Sequence, residues 1–334
     1  MNSELYNKCA YYLVSQDLSI FTEEERSKLK CFVQTDQSGA EALIVAYLCY
    51  NGDYRQLFIN GIKPHSFLGM HLFKDRWTKE MLDANLIGRE DKFDIMELIE
   101  CPIPKLKSHP FWKPLDKIIK ESDNWPDHKR YYYLSKQTEH SSNYGITTNP
   151  FRLNVLDKSG GKIMLSYEDA DRFLITKHSL FPEIRDWHKR LRAQVDMTRM
   201  VYNLHGHPLA ITWHDIPPEK WKEVYAISPQ STVGMITNIA FSRLQEYTEE
   251  NNLRWDHLIN CHDSILSQCP VGEEKLLGIK QKEFIGQWFE SPVDGVKFQM
   301  KSETQVGFNW GVWKRGKDGK PDTNKLGLRE LTLI

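Results

Sequence analysis

Apolar and polar positions recur along this chain with periods that change often, and each change marks a new element. Residues 29–36, LKCFVQTD, read as a short buried strand ending on a carboxylate. Residues 38–52, SGAEALIVAYLCYNG, read as a helix with Ala42, Val45, Ala46 and Cys49 on one stripe and the NG pair as its stop. A helix follows the proline of 63–73, KPHSFLGMHLF. Four prolines in ECPIPKLKSHPFWKP speak against a continuous helix, so 74–127 is expected to be an insertion or irregular surface unit. Residues 127–145 read as a helix ending at Gly145. Residues 166–200 read as two helices broken at Pro182, the first capped by Ser166 with Asp169. A hairpin is expected over 200–211. A long helix is expected over 228–251, with Val233, Ile236, Ala240, Leu244 and Tyr247 as its buried stripe. Residues 253–270 read as two strands around His262-Asp263, 271–290 as a helix and 296–307 as a strand, before a polar, poorly ordered tail.

These elements make an α+β chain. A small antiparallel sheet is expected from 30–36, 253–268 and 296–304, with long helices packed on it or projecting from it. No internal repeat is visible.

Composition narrows the picture only modestly. With 334 residues, 40% apolar and 27% charged, the chain is long enough for a sizeable core and two or more lobes. It contains no apolar run of membrane-spanning length and no signal-peptide pattern at its start. Six cysteines lie far apart with no CxxC pair, which fits reduced thiols and a cytoplasmic setting. The formal net charge of −1 argues against coating nucleic acid by bulk charge. Charge is uneven, however: 172–199 holds seven Lys/Arg against three acidic residues, as a local basic groove or a solvated helix face would.

The candidate chemistry starts from two carboxylates. Asp36 ends one predicted strand and Asp263 sits near the turn between two others. If those strands are neighbours, the two groups repel each other unless something positive is brought to them. Oxygen-seeking divalent cations would do so. Each Asp alone reads equally as a turn or cap residue. On the helix 127–145, Lys136, His140 and Tyr144 recur every four residues and share a face, which suits a phosphate-bearing ligand with a ring to stack on, or a plain amphipathic surface.

Three stretches, in order, resemble the palm and fingers of family A DNA polymerases of the bacteriophage type: QTDQSGAEALIVAYL (34–48), KQTEHSSNYG (136–145) and NCHDSILSQCP (260–270). GIKPHSF (61–67), YNLHGHPLAI (202–211), SPQSTVGMITNIA (228–240) and VKFQMKSETQVGFNWGVW (296–313) add support. The resemblance implies a right-hand palm, a small antiparallel sheet with packed helices, plus helical fingers. Its divisions are an N-terminal segment 1–30, palm 31–73, an irregular insertion or fingers elaboration 74–127, fingers 128–200, palm 201–314 and a polar tail 315–334. It implies magnesium-dependent transfer of a nucleotide from a dNTP to a primer 3'-hydroxyl. Asp36, Asp263 and the Gln37 carbonyl would hold two Mg2+ ions. Glu41 would exclude a ribose 2'-hydroxyl, and Lys136, His140 and Tyr144 would contact the nucleotide. Gln230 and His262 would contact primer–template DNA.

Departures from the family pattern also stand in the sequence. Ser264 occupies the place of a glutamate, and Tyr132 that of an arginine for which Arg130 or Lys129 would have to substitute. Thumb and exonuclease domains are expected to be absent, so the resemblance implies either one piece of a split polymerase, with a separate protein supplying them, or a minimal enzyme with a different grip on DNA; the setting is the cytoplasm, that of a bacterial host cell if the chain is phage-encoded. The alternative is a catalytically weak or inactive descendant that binds DNA or protein.

Overall fold

The computed structural model describes residues 1–87, 93–124, 130–314 and 323–333. The chain forms two compact units, one of Met1–Glu41, Gln230–Glu290 and Lys297–Ile334, the other of Ala42–Pro229 and Ser291–Val296. The described strands are β1 (Lys30–Gln37), β2 (Met200–Tyr202), β3 (Pro208–Ala210), β4 (Asp256–Cys261), β5 (Ser264–Pro270), β6 (Trp288–Glu290), β7 (Lys297–Gln299), β8 (Ser302–Gly307) and β9 (Arg329–Glu330).

The first unit is built on a sheet in the order β4-β5-β1-β8-β9, every pair antiparallel. Strand β1 alternates strictly: Cys31, Val33, Thr35 and Gln37 are buried, while Phe32, Gln34 and Asp36 are half-buried on the other face. The helix Glu274–Ile285 packs against β1 and β8. Its Gln281 is fully buried. Gln281 accepts from the Thr35 hydroxyl at 2.7 Å and donates to Ser267 Oγ at 2.9 Å. Thr35 also meets Thr304 at 2.8 Å, and Ser267 meets His257, whose other ring nitrogen lies 2.9 Å from Thr248. A row of hydroxyls and amides thus fixes the lower face of the sheet, each group satisfied by the next.

The sequence places most of these elements, and four differences have physical causes. The segment after residue 73 is helical rather than irregular: Lys74–Asp83, Ile95–Ile99, Ile103–Leu106 and Trp112–Glu121. Its prolines fall before helices or in their first turns, where no N–H partner is lost, and Trp77, Leu106, Leu115 and Ile119 are buried. The long helix runs Trp221–Glu250 with Pro229 inside it, because burying Val224 and Tyr225 outweighs the local penalty of the proline. The helix expected over 271–290 ends at Ile285, and Trp288–Glu290 turns instead into a hairpin with Lys297–Gln299. The chain end is not simply a polar tail. Leu326, Leu328 and Leu331 are buried, and Leu326 joins Cys9, Tyr12, Phe21 and Val271 in one cluster. Residues 315–322 of that tail, and the beginning of the helix expected from residue 127, lie outside the described residues.

The second unit is almost all helix. Its core gathers Leu68, Leu72, Leu134, Phe151, Val155, Phe173 and Leu174 from four helices. One of these, Thr148–Lys158, carries no clear sequence signal. The helix Tyr167–Leu180 is capped by Ser166 accepting from the Asp169 N–H at 2.9 Å, and Pro182 opens the helix Pro182–Thr198, both as expected. No helix among the described residues is long and apolar enough to cross a membrane.

Truncating Gln281 to Ala removes one of the two hydroxyl-network partners of Ser267 and of Thr35, leaving His257 and Thr304 as the others. A loss of about 2–3 kcal/mol is expected in urea unfolding, and a loss below about 0.5 kcal/mol would show that the hydroxyl row does not hold the sheet.

Candidate functional site

The residues carrying the candidate chemistry of the first unit meet at the end of β1. Asp36 stands directly opposite Ser264 on β5 and Glu303 on β8, so the residue before Ser264, Asp263, is also its neighbour. The turn between β4 and β5 consists of His262 and Asp263 alone. His262 takes φ +55, a left-handed conformation that a residue with a side chain rarely adopts. Three bonds hold it there. The Asp263 N–H donates to the Cys261 carbonyl at 2.6 Å, the Thr237 hydroxyl donates to the His262 carbonyl at 2.6 Å, and the Gln37 N–H donates to the Asp263 carbonyl at 2.8 Å. The last two fasten the turn to the long helix and to β1.

Asp263 is exposed at this turn rather than buried between two apolar strands. Its carboxyl pKa is nonetheless raised, by the loss of part of its solvent and then by the charge of Asp36, with Glu41 adding to the effect and His262 opposing it. Glu41 lies at the start of the helix Ala40–Leu48. Gln230 Nε2 approaches its carboxylate at 3.4 Å and His262 Nε2 at 3.7 Å. Asp36, Asp263, Glu41, His262 and Gln230 therefore form one cluster in the first unit. Gln37 belongs to the buried face: its side chain donates to the Val233 carbonyl at 3.1 Å and to Thr237 at 2.7 Å.

Three members of this cluster escaped sequence reasoning. Glu303 faces Asp36, and like charges directly opposite destabilise a strand pair unless a cation intervenes. Gln34 donates to Asp36 Oδ1 at 2.9 Å, and Trp310 donates to Gln34 Oε1 at 2.6 Å. Only the period-2 relation of Gln34 to Asp36 was available as a signal; the other two depend on strand register and on the fold of the closing segment.

The donors at this site are all oxygens, and they repel one another in the absence of a positive charge. That fits a hard divalent cation. No group of three or more His, Cys, Asp or Glu side chains poised to hold a metal occurs among the described residues. Magnesium is commonly held by one or two carboxylates, with water and substrate phosphate completing its shell.

The helix Tyr131–Asn143 of the second unit carries the other candidates. Lys136 is exposed, His140 is half-buried, and Tyr144 caps the helix end with its ring buried and edge-on to His140 at 5.6 Å. The flank of that face, Glu139 and Asn143 at three and seven residues from Lys136, is locked. Asn143 Nδ2 donates to the Tyr54 hydroxyl at 2.8 Å and to Glu139 at 2.7 Å, Tyr54 also donates to Glu139, and the fully buried Lys177 donates to Asn143 Oδ1 at 2.9 Å. Tyr132 packs edge-on to His65, and Arg130 is the left-handed residue preceding the helix, outside its regular phase. Lys129 lies outside the described residues.

The seven cations of 172–199 fall into three sets, of which Arg199 alone makes one: it caps the helix Pro182–Thr198 and donates to the His214 carbonyl at 2.9 Å. Arg172, Lys177 and Arg190 bond within the unit. Arg185, Lys189 and Arg192 line an open cavity of about 310 Å³ with Gly145, His178, His188 and Tyr225. His188 stacks on Tyr225 at 3.8 Å, and its Nε2 lies 2.9 Å from the Asn143 carbonyl. Burial, reinforced by Arg185, pushes the His178 pKa down to about 3. Burial also takes His188 to about 4, partly opposed by the bond to Asn143 and aided by Arg192.

No family model and no curated protein matches the sequence. Among solved structures the chain is similar to the polymerase domain of Pol1 from M. smegmatis in complex with DNA primer-template and dNTP. The TM-score is 0.56 at 15% sequence identity, over 84% of this chain and 40% of that one. The fold is thus a distant and partial match to a polymerase domain of the Pol I type. The chain spans less than half the length of the protein it matches.

His188, buried, and His178, half-buried, are both neutral in the folded chain near pH 7 and free to protonate when unfolded. Below the ordinary pKa of 6.5 the unfolded chain takes up protons that the folded one refuses, so stability falls as pH drops from 6.5 toward 4. Going from pH 7 to pH 5 is expected to remove roughly 1–2 kcal/mol per histidine. Urea midpoints of a His178→Asn variant should show a shallower dependence over that interval.

Proposed function

We propose that the chain is the palm and fingers of a template-directed DNA polymerase, transferring a nucleotide from a dNTP to a primer 3'-hydroxyl. The observation that carries this reading is the pair Asp36–Asp263, set side by side by β1 and by a two-residue turn that three backbone and hydroxyl bonds hold in place.

In this reading Asp36 and Asp263 hold magnesium, one or two ions, with the Gln37 carbonyl as a further ligand. The ions, when bound, supply charge neutralisation for the phosphates and acidify the attacking hydroxyl. The chain's own residues do the rest. Glu41, approached from two sides by Gln230 and His262, presents a carboxylate where a ribose 2'-hydroxyl would have to sit. Gln230, exposed and on the long helix, is free at its outer side to meet minor-groove acceptors shared by all base pairs. His262 orients the primer end. In the second unit Lys136, exposed beside the locked flank of its helix, meets the phosphates as a point charge. His140 and the ring of Tyr144 meet the sugar and the nascent base pair.

The test is primer extension with the four dNTPs and magnesium. Asp36→Ala and Asp263→Ala are each expected to reduce extension by about a thousandfold or more, while the urea midpoint stays close to that of the wild type. Glu41→Ala should retain extension and admit ribonucleotides. Wild-type chain that binds primer–template and never extends it, alone or with added host extract, would favour the inactive descendant to which Ser264 and Tyr132 point.

A further inference from the structure

We infer that Gln34 and Trp310 are positioning residues that hold the Asp36 carboxylate in one orientation, with Oδ1 engaged and Oδ2 left to a cation; this rests on the polymerase reading. Gln34 and Asp36 lie two residues apart on β1, so their side chains leave the same face of the sheet. Gln34 Nε2 donates to Asp36 Oδ1 at 2.9 Å and approaches Ser264 Oγ at 3.4 Å, while its Oε1 accepts from the Trp310 indole N–H at 2.6 Å. Asp36 Oδ2 has no hydrogen bond among the described residues.

The chemistry of the three groups fixes the direction of the relay. A primary amide can turn over with little change of shape, exchanging its donor and acceptor ends. An ionised carboxylate only accepts and an indole N–H only donates. Turned over, Gln34 would aim its carbonyl oxygen at Asp36 and its NH2 at the indole N–H, repulsive at both ends. Asp36 and Trp310 therefore select the same state of the amide, and that state offers a hydrogen to Asp36. The half-exposed indole of Trp310 is held in place by this bond.

Ser264 belongs to the same arrangement. It is 3% exposed, directly opposite Asp36, and its oxygen lies at the second N–H of Gln34. A short hydroxyl here leaves room for the Gln34 amide between the two strands. Neither Gln34 nor Trp310 touches a reacting atom in this proposal; both act through Asp36.

The experiment compares wild type, Gln34→Leu, Trp310→Phe and the double variant, with Mn2+ alone as the probe in calorimetry and primer extension as a second readout. Each single substitution is expected to weaken Mn2+ binding by roughly tenfold and to lower kcat with KM for the dNTP unchanged, at an unaltered urea midpoint. Because Trp310 acts through Gln34, the double variant should match Gln34→Leu alone. Additive losses in the double variant overturn the relay. Mn2+ binding that Asp36→Ala abolishes and that ignores both Gln34 and Trp310 removes this inference alone. Mn2+ binding indifferent to Asp36→Ala removes the polymerase reading with it.

Discussion

Everything at the candidate site depends on the backbone bond from Gln37 to the carbonyl of Asp263. Two carboxylates left to themselves move apart, and nothing in their own chemistry would hold Asp36 beside Asp263. Strand pairing does it for them. Seven consecutive register positions join β1 to β5, so the ladder, not the side chains, decides where the charges stand. The turn that carries Asp263 is left-handed at His262, and it persists because each of its carbonyls is taken by a donor from a different element. Local strain at one residue is balanced by bonds that reach the long helix and the central strand. The pKa of Asp263 is raised first by partial loss of solvent and then by the charge of Asp36, so that enforced proximity is its second cause.

The legible part of this site was the part written in short-range pattern. An alternating run ending on Asp36, and two apolar runs flanking His262-Asp263, are local signals, and the elements they implied are present. Glu303, by contrast, sits in a strand that reads no differently from any polar β segment. It becomes a neighbour of Asp36 only through the β1–β8 register. Trp310 is further removed still, since its contact depends on how the segment after β8 turns back over the sheet. The misread stretch after residue 73 teaches a related lesson. Proline density reads as irregularity, whereas prolines ahead of helices or in their first turns are compatible with short helices whose stability comes from burial of Trp77, Leu115 and Ile119.

The second unit solves a different problem. The helix Tyr131–Asn143 sets Tyr131 and Leu134 into apolar packing near its start, while its later turns bury Thr138, Glu139, Ser142 and Asn143, weak material for an apolar seam. The seam is polar instead. Glu139 is held well into its charged range, at about 2: burial opposes this, and His65, Lys177 and Tyr54 overcome it. Lys177, whose pKa burial lowers to about 8, completes the set with its ammonium over the ring of Tyr54 at 4.2 Å. A polar seam with every partner specified has fewer alternative packings than an apolar one, so it fixes the angle at which the outer face points. The same reasoning explains why a sequence count of cations overstated the basic surface: Lys177, Arg172 and Arg190 serve as internal donors.

The serine at 264 can now be weighed as part of a whole rather than as a deficit. Where a long carboxylate would add a third negative charge beside Asp36 and Asp263, a buried hydroxyl adds none, and Glu303 already faces Asp36 from the other side. The number of carboxylates around Asp36 is thus set by both flanking strands, and a change on one side is read correctly only with the other in view. Gln34 fits the space that the small side chain leaves and turns it into a directed hydrogen bond. A charged neighbour can orient a carboxylate only by repulsion, which has no preferred angle. An amide orients it by donation, which does. On this argument the serine at 264 bears on how Asp36 is held, while the pairing with Asp263 is imposed by the strands.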